Sequence, residues 1–169
     1  MAVAAGIAVA NIYYNQPILK EIQQSTHSTE AQAGALSFLS QAGYGVGLFF
    51  ITPLGDKINR KKLTIILLLL ASVSLLAMAF FQNIYLLWVS SFLIGLVSVA
   101  AQVILPLAAS LDRVSTGSTV GKVFSGILIG ILAARVLSGF ITSVLGWHAV
   151  YMFACAFVWI TCYLIIKYL

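Results

Sequence analysis

The chain has 169 residues, of which 62% are hydrophobic and only 8% are charged, with a formal net charge of +5. A soluble domain carries roughly 25% charged residues and leaves much of its surface in water, so this composition excludes an ordinary soluble protein. The basic residues lie beside long apolar runs, which excludes a nucleic-acid-binding interpretation and predicts an integral membrane protein.

Six apolar segments are long enough to cross a bilayer as α-helices, since a spanning helix needs about 20 apolar residues. The first is the weakest because it turns polar after Ala10, and the third, from Leu63, is the most apolar. The sequence therefore predicts an all-α integral membrane protein with one six-helix bundle over residues 1–169. The predicted spans are about 2–19, 31–54, 63–82, 84–109, 120–144 and 147–168.

The basic residues are distributed unequally between the predicted connections. Residues 55–62 hold four Lys or Arg residues, residues 110–122 hold two, and the C-terminal end holds Lys167, whereas the opposite side holds only Lys20. Cytoplasmic connections of membrane proteins are rich in Lys and Arg. This asymmetry predicts a multi-pass protein whose N- and C-termini both face the cytoplasm.

Several polar side chains lie inside the predicted spans, where they are costly and usually face the bundle interior or a wet cavity. Those of the first span are three and four residues apart and therefore share one helical face. We predict a substrate cavity lined by Asn11, Tyr14, Asn15, Gln41, Tyr44, Gln102 and Arg135. The alternative is that the Asn and Gln side chains hydrogen-bond between helices and hold them together.

Arg135 is a base deep inside the fifth predicted span, about 13 residues beyond Lys122 and so near the middle of the membrane. Its guanidinium stays charged, and all four acidic residues of the chain lie in the connections. The functional interpretation is a substrate or coupling site. The alternative is a structural charge that bonds to carbonyls and amides of neighbouring helices.

Small residues recur at intervals of four in two spans, a pattern that lets membrane helices approach closely. The predicted helix-packing positions are Gly43, Gly47, Gly126, Gly130 and Gly139. Cys155 and Cys162 share one face of the last span, where they are expected to be small core residues rather than a disulfide or a metal pair. No arrangement of catalytic side chains lies in any span, so the sequence predicts neither an enzyme nor a metal site.

The segment after the second span resembles the cytoplasmic signature of the major facilitator superfamily, roughly G-x-L-x-D-R-x-G-R-R/K. Thr52 and Asn59 stand where that signature has glycines. The matching positions, which we call the latch motif, are Leu54, Asp56, Lys57, Arg60 and Lys61. Residues 10–17 and 126–147 are similar to a bacterial branch of sugar and drug efflux permeases.

The resemblance covers essentially the whole chain but only one half of that family's twelve-helix fold. It implies a half-bundle of two three-helix repeats in the bacterial inner membrane, which exports a small solute by alternating access. It implies no cofactor. Antiport with protons is the family's usual coupling, but Ser91 stands where many proton-driven members have an Arg, four residues before Gly95.

The resemblance also implies that the latch motif binds acids or helix ends across a bundle interface, with Asp112 as a partner within this chain. Six helices form only one wall of a cavity, so a second bundle is needed. It is a second copy of the chain, a separate partner, or the other half of a longer transporter. The rival interpretations are a non-transporting assembly or regulatory module and an inactive transporter fragment.

Overall fold

The computed structural model describes residues 1–111 and 115–168, so Asp112, with its predicted contact to the latch motif, lies outside the described residues. The predicted all-α membrane fold is confirmed: five described segments are helical, long and apolar enough to cross a membrane. The helices are α1 (Ala2–Tyr13), α2 (Leu19–Thr26), α3 (Glu30–Phe50), α4 (Leu54–Lys57), α5 (Arg60–Phe80), α6 (Ile84–Val97), α7 (Ala100–Leu111), α8 (Thr116–Leu145) and α9 (Trp147–Tyr168).

The first predicted span is not one continuous α-helix. After α1 the chain forms a 3-10 turn at Gln16–Ile18, in which the Ile18 amide donates to the Asn15 carbonyl at 3.2 Å. Pro17 lacks an amide proton and so cannot continue the α-helical hydrogen bonding. Helix α2 then occupies most of the predicted connection at 20–30, which in the structure is only the three residues between Thr26 and Glu30.

The segment of the latch motif, predicted as the connection 55–62, is partly helical. A single turn of helix, α4, follows α3 after a short break, and only Ile58 and Asn59 separate α4 from α5. Asn59 caps α5, because its side-chain oxygen accepts from the Lys62 amide at 3.2 Å. The cap satisfies a backbone donor that the helix start leaves free.

The fourth predicted span is divided into α6 and α7 by a turn at Ser98–Val99. Here the backbone amide of Gln102 donates to the Val99 carbonyl at 2.8 Å. This bond spans three residues, whereas an α-helical bond spans four. Pro106 lies within α7, one turn after Gln102. Because Pro106 has no amide proton, the Gln102 carbonyl loses its α-helical partner at this point.

Helices α3 and α6 run parallel along a seam of glycines. A Cβ atom on Gly43 would collide with the Phe92 carbonyl, one on Gly47 with the Leu96 carbonyl, and one on Gly95 with the Ser40 carbonyl. The two backbones are therefore in direct contact. Farther along the same pair, the Trp88 indole donates to the Gln32 carbonyl at 2.9 Å and the Ser91 hydroxyl to the Leu36 carbonyl at 2.8 Å.

A second seam joins α1 to α8, which are also parallel. A Cβ atom on Gly126 would collide with the Ala2 carbonyl, and one on Gly130 with the Gly6 carbonyl. Gly139 takes no part in this seam, because a Cβ atom there would meet nothing within 4 Å. Ala134, which lies four residues after Gly130, is buried.

Helices α5 and α9 are antiparallel. The Lys61 ammonium lies 3.4 Å from the Ile166 carbonyl, and farther along the pair the Cys155 sulfur lies 3.8 Å from the Ser72 carbonyl. Met1 and Tyr168 line one groove of about 260 Å³, so both ends of the described chain lie at the same end of the bundle. The described bases at this end are Lys57, Arg60, Lys61, Lys62, Lys122 and Lys167.

Two helices stand at the periphery of the core. Only 22% of the most apolar 18-residue stretch of the α3 span is buried, and only 17% of that of α8. The other three long spans bury 44–56% of theirs. Helices α3 and α8 therefore present broad apolar faces, with exposed side chains that include Phe38, Phe49, Leu132, Val136 and Phe140.

Candidate substrate site

Two polar side-chain contacts, each between two helices, lie within the membrane-spanning part of the bundle. The Gln102 amide nitrogen on α7 donates to the Tyr44 hydroxyl on α3 at 2.9 Å. Helix α1, which ends at Tyr13, contacts both α3 and α8, so the two contacts lie on adjoining helices. The Arg135 guanidinium on α8 lies over the Tyr13 ring, 5.3 Å from its centroid. We call Tyr13, Tyr44, Gln102 and Arg135 the four-helix cluster.

The cluster lies near the middle of the bundle along the helix axes. Arg135 is about 29 Å from Thr116 and about 15 Å from Leu145, at 1.5 Å per residue of α8. Tyr44 is about 21 Å from Glu30, the first residue of α3. Arg135 and Tyr44 therefore lie inside their helices, away from the helix ends.

Arg135 is exposed in this bundle, and its side chain contacts the face of Tyr13 rather than a carboxylate. The ion pair found among residues 1–111 and 115–168 is that of Asp56 with Arg60, at the basic end of the bundle. The aromatic face attracts a cation through its quadrupole but carries no net charge. The Arg135 charge is thus uncompensated by the described residues.

Asn15 joins the break after α1 to α3 through two long hydrogen bonds. Its amide nitrogen donates to the Ser40 hydroxyl, and its oxygen accepts from the Ser37 hydroxyl, both at 3.4 Å. Asn15 is only 4% exposed, so it lies between helices rather than on an open surface. For Asn15 the geometry fits the alternative interpretation, in which the side chain hydrogen-bonds between helices and holds them together.

The other two predicted residues of the first span are also buried. Tyr14 is 6% exposed and Asn11 is 3% exposed, and neither amide atom of Asn11 has a hydrogen-bond partner among the described residues. The structure places Tyr13, which was not predicted, in the cluster instead. A signal was present: the small residues Ala2, Gly6 and Ala10 face α8, and Tyr13 continues that row three residues later.

Gln41 lies one turn before Tyr44 on α3 and is exposed. Residues three apart on a helix are neighbours on its surface, so Gln41 extends the face that carries Tyr44. Of the seven predicted cavity residues, the structure thus pairs Tyr44 with Gln102, with Gln41 beside Tyr44, and places Arg135 against Tyr13 on the neighbouring helix. Asn11, Tyr14 and Asn15 lie behind them in the helix packing.

The latch motif forms contacts at the basic end. Arg60 pairs with Asp56 at 2.9 Å between Nη2 and Oδ1, and its Nε donates to the Gly55 carbonyl at 3.2 Å. Lys61 reaches the last turn of α9 at the Ile166 carbonyl, where a cation is favoured by the helix dipole. Leu54 and Lys57 are exposed.

No group of three or more His, Cys, Asp or Glu side chains within the described ranges could hold a metal ion. The buried Thr52 hydroxyl oxygen, at the position where the family signature has glycine, lacks a hydrogen-bond partner among the residues that the structure describes.

A family model described as Major Facilitator Superfamily matches residues 1–169. The chain belongs to the Major Facilitator Superfamily. It is 39% identical to the transporter YgaY of Escherichia coli K12 over 155 residues, which are 91% of this chain and 39% of that protein. It is 31% identical to the transporter SCO4007 of Streptomyces coelicolor, over 90% of this chain and 36% of the relative.

A third relative, the inner membrane transport protein YnfM of Escherichia coli K12, is 32% identical over 86% of this chain and 36% of its own length. The chain therefore spans less than two fifths of each of these relatives. Membership of the Major Facilitator Superfamily, together with the transporter names of these relatives, groups the chain with transporters rather than with enzymes.

Proposed function

We propose that the chain forms one half of a secondary active transporter that exports a small solute by alternating access. The observation that carries the proposal is the four-helix cluster: two polar contacts, α3 with α7 and α1 with α8, lie on adjoining helices near mid-depth in a largely apolar bundle. Polar groups at this depth are costly and usually mark a solute pathway. Solute sites of secondary transporters lie near the midplane, between two bundles.

The second bundle packs against α3 and α8 in this proposal. These helices bury the smallest part of their length within the chain, and their parallel partners α6 and α1 hold them by backbone contacts at the glycine seams. Close backbone contact lets a helix move as one body with its partner. The second bundle is a further part of the same polypeptide, a second copy, or a separate chain.

The basic end of the bundle faces the cytoplasm in the proposed orientation. Six described bases lie there, whereas Lys20 lies near the opposite end, and cytoplasmic connections favour Lys and Arg. The membrane is the bacterial cytoplasmic membrane, as in the name of the relative YnfM. The latch motif then contacts the second bundle at the cytoplasmic face, where the exposed Asp56 carboxylate and Lys57 are free to exchange partners.

The export direction rests on the resemblance of residues 10–17 and 126–147 to efflux permeases. Protons are the coupling ion that the family most often uses. Since no carboxylate of this chain lies in the central part of a span, a proton-binding carboxylate at mid-depth would have to come from the second bundle.

Proteoliposomes that contain the assembled transporter can test the proposal even while the solute is unidentified. They are loaded with a uniformly 13C-labelled cell extract, and mass spectrometry follows the loss of each compound from the lumen. We expect one compound or a small related set to leave, and the double variant Tyr44→Phe/Gln102→Ala to slow that loss at least tenfold. If no compound leaves faster than from liposomes without protein, the chain is not part of a transporter.

The control for that experiment is a variant outside the four-helix cluster, and the amount of assembled protein is measured for every variant. The variant Gln23→Ala changes a polar residue on α2, outside the four-helix cluster, and should transport like the wild type. Loss of transport in the cluster variant with unchanged amounts of assembled protein supports a solute site. Unchanged transport with failed assembly would instead favour a structural module.

A further inference from the structure

We propose that the solute is an organic anion, with a carboxylate or phosphate group that binds Arg135. This inference rests on the proposed function and names the substrate class of the same site. It goes beyond a polar cavity because it assigns a charge to the solute and a separate role to each member of the four-helix cluster.

Arg135 carries a charge that no other residue in the middle of the spans neutralises. Arg135 is exposed near the middle of its span, and its guanidinium remains ionised there. The acidic residues of the chain are Glu21, Glu30, Asp56 and Asp112, none of which lies in the central part of a span. The Tyr13 ring attracts the guanidinium without neutralising it. The countercharge therefore comes from outside the chain, and an anionic solute supplies it only when bound.

The four-helix cluster is rich in hydrogen-bond donors. Tyr44 accepts a hydrogen bond from Gln102, and its hydroxyl proton has no acceptor among the described residues, so it can donate to a solute oxygen. The guanidinium of Arg135 presents further donors in a fork that fits two oxygens of a carboxylate or phosphate. A site with this set of donors suits an acceptor-only group such as an ionised carboxylate.

The aromatic rings of the cluster can contact the part of the solute next to its charged group. The Tyr13 ring lies against the Arg135 guanidinium and the Tyr44 ring carries the hydroxyl that Gln102 contacts, so both offer apolar faces to a planar or aliphatic part next to the charged group. A cationic solute would be repelled by Arg135. A neutral solute would leave the charge of Arg135 uncompensated in the membrane, where charges are costly.

The main test measures binding to the assembled transporter in nanodiscs, with two matched probe pairs. Each pair shares its ring but differs in charge: benzoate against benzamide, and phenyl phosphate against benzyl alcohol. We expect at least one anion to bind at least tenfold more tightly than its neutral partner, and Arg135→Gln to remove that preference. Arg135→Lys should retain part of it, since it keeps the charge without the fork.

Lys122→Gln is the matched control, because it removes one positive charge from the same helix, α8, at a position outside the cluster. It should bind the anions like the wild type. If Lys122→Gln weakens anion binding as much as Arg135→Gln does, the effect is one of overall charge and the assignment fails. Unchanged binding in Arg135→Gln, or equal binding of both members of each pair, also overturns it.

The labelled-extract experiment separates this inference from the proposed function. If the compound that leaves the proteoliposomes is neutral or cationic, transport stands and the anion assignment falls. A carboxylate of the second bundle that pairs permanently with Arg135 would produce this result. If nothing leaves but anions still bind in an Arg135-dependent way, the proposed transport falls and the anion site stands.

Discussion

The contact of α3 with α6 can be tested by one substitution made at two glycines of the same helix. Gly43 faces α6, and a Cβ there would collide with the Phe92 carbonyl oxygen and lie only 3.1 Å from the Leu96 amide nitrogen. Gly45 faces away, with nothing within 4 Å. Alanine at both positions adds one methyl group and the same helix propensity, so the comparison isolates the contact.

The expected difference follows from the kind of atoms in contact. The neighbours of Gly43 belong to the α6 backbone and cannot rotate aside, so Gly43→Ala must move the helices apart, at an overpacking cost of about 1–3 kcal/mol. Gly45→Ala lacks this cost and gains up to about 1 kcal/mol of helix propensity. Gly43→Ala gains the same propensity, so we expect the two variants to differ by the overpacking cost alone, about 1–3 kcal/mol.

The assay is reversible unfolding in mixed detergent micelles, with the free energy of unfolding compared between the two variants and the wild type. Gly43→Ala should be less stable than the wild type, and Gly45→Ala equal or more stable. If Gly43→Ala is as stable as Gly45→Ala, α3 and α6 do not approach by backbone contact, and the parallel seam is wrong.

Three further predictions concern other contacts. In the α1–α8 seam, Gly130→Ala should lower the free energy of unfolding by about 1–3 kcal/mol. Gly139→Ala, on the same helix but with no neighbour within 4 Å of the added Cβ, should not lower it. Equal effects of the two variants would contradict the seam. Asp56→Asn should cost at most about 1 kcal/mol, since the pair with Arg60 is largely exposed, but should slow transport if the latch motif works between bundles. Ser25→Ala removes the acceptor of the Trp147 indole at 2.9 Å and should cost about 0.5–1.5 kcal/mol in the same unfolding assay.

The membrane fold could be predicted from the sequence because apolar length and the absence of charge mark a spanning helix regardless of its neighbours. The bounds of α8 lie within four residues of the predicted span 120–144, and those of α9 coincide with the predicted span 147–168. Breaks inside spans were harder to locate. Pro17 and Pro106 were visible, but the turn at Ser98–Val99 lies seven residues before the nearest proline and follows from local hydrogen bonding.

The candidate site was predicted in part, because helical spacing shows which residues share a face but not which neighbour that face meets. Asn11, Tyr14 and Asn15 do share a face, but that face is buried among other helices. Tyr13 lies beside Arg135 because the α1–α8 seam sets the rotation of α1. That rotation depends on backbone contacts between distant segments, which local spacing cannot supply.

Solute access to the middle of the membrane is the central claim, and thiol labelling at Gln41 tests it most directly. In a background with Cys155 and Cys162 replaced by alanine, Gln41→Cys places a thiol on the exposed face one turn from Tyr44. Val73→Cys is the control, because Val73 is 65% exposed on the apolar face of α5, where lipid is expected. A membrane-impermeant thiol reagent is applied to right-side-out and to inverted vesicles. Alternating access predicts that the thiol at position 41 reacts from both sides and that at position 73 from neither. Reaction of position 41 from one side only, or from neither side, would contradict the account.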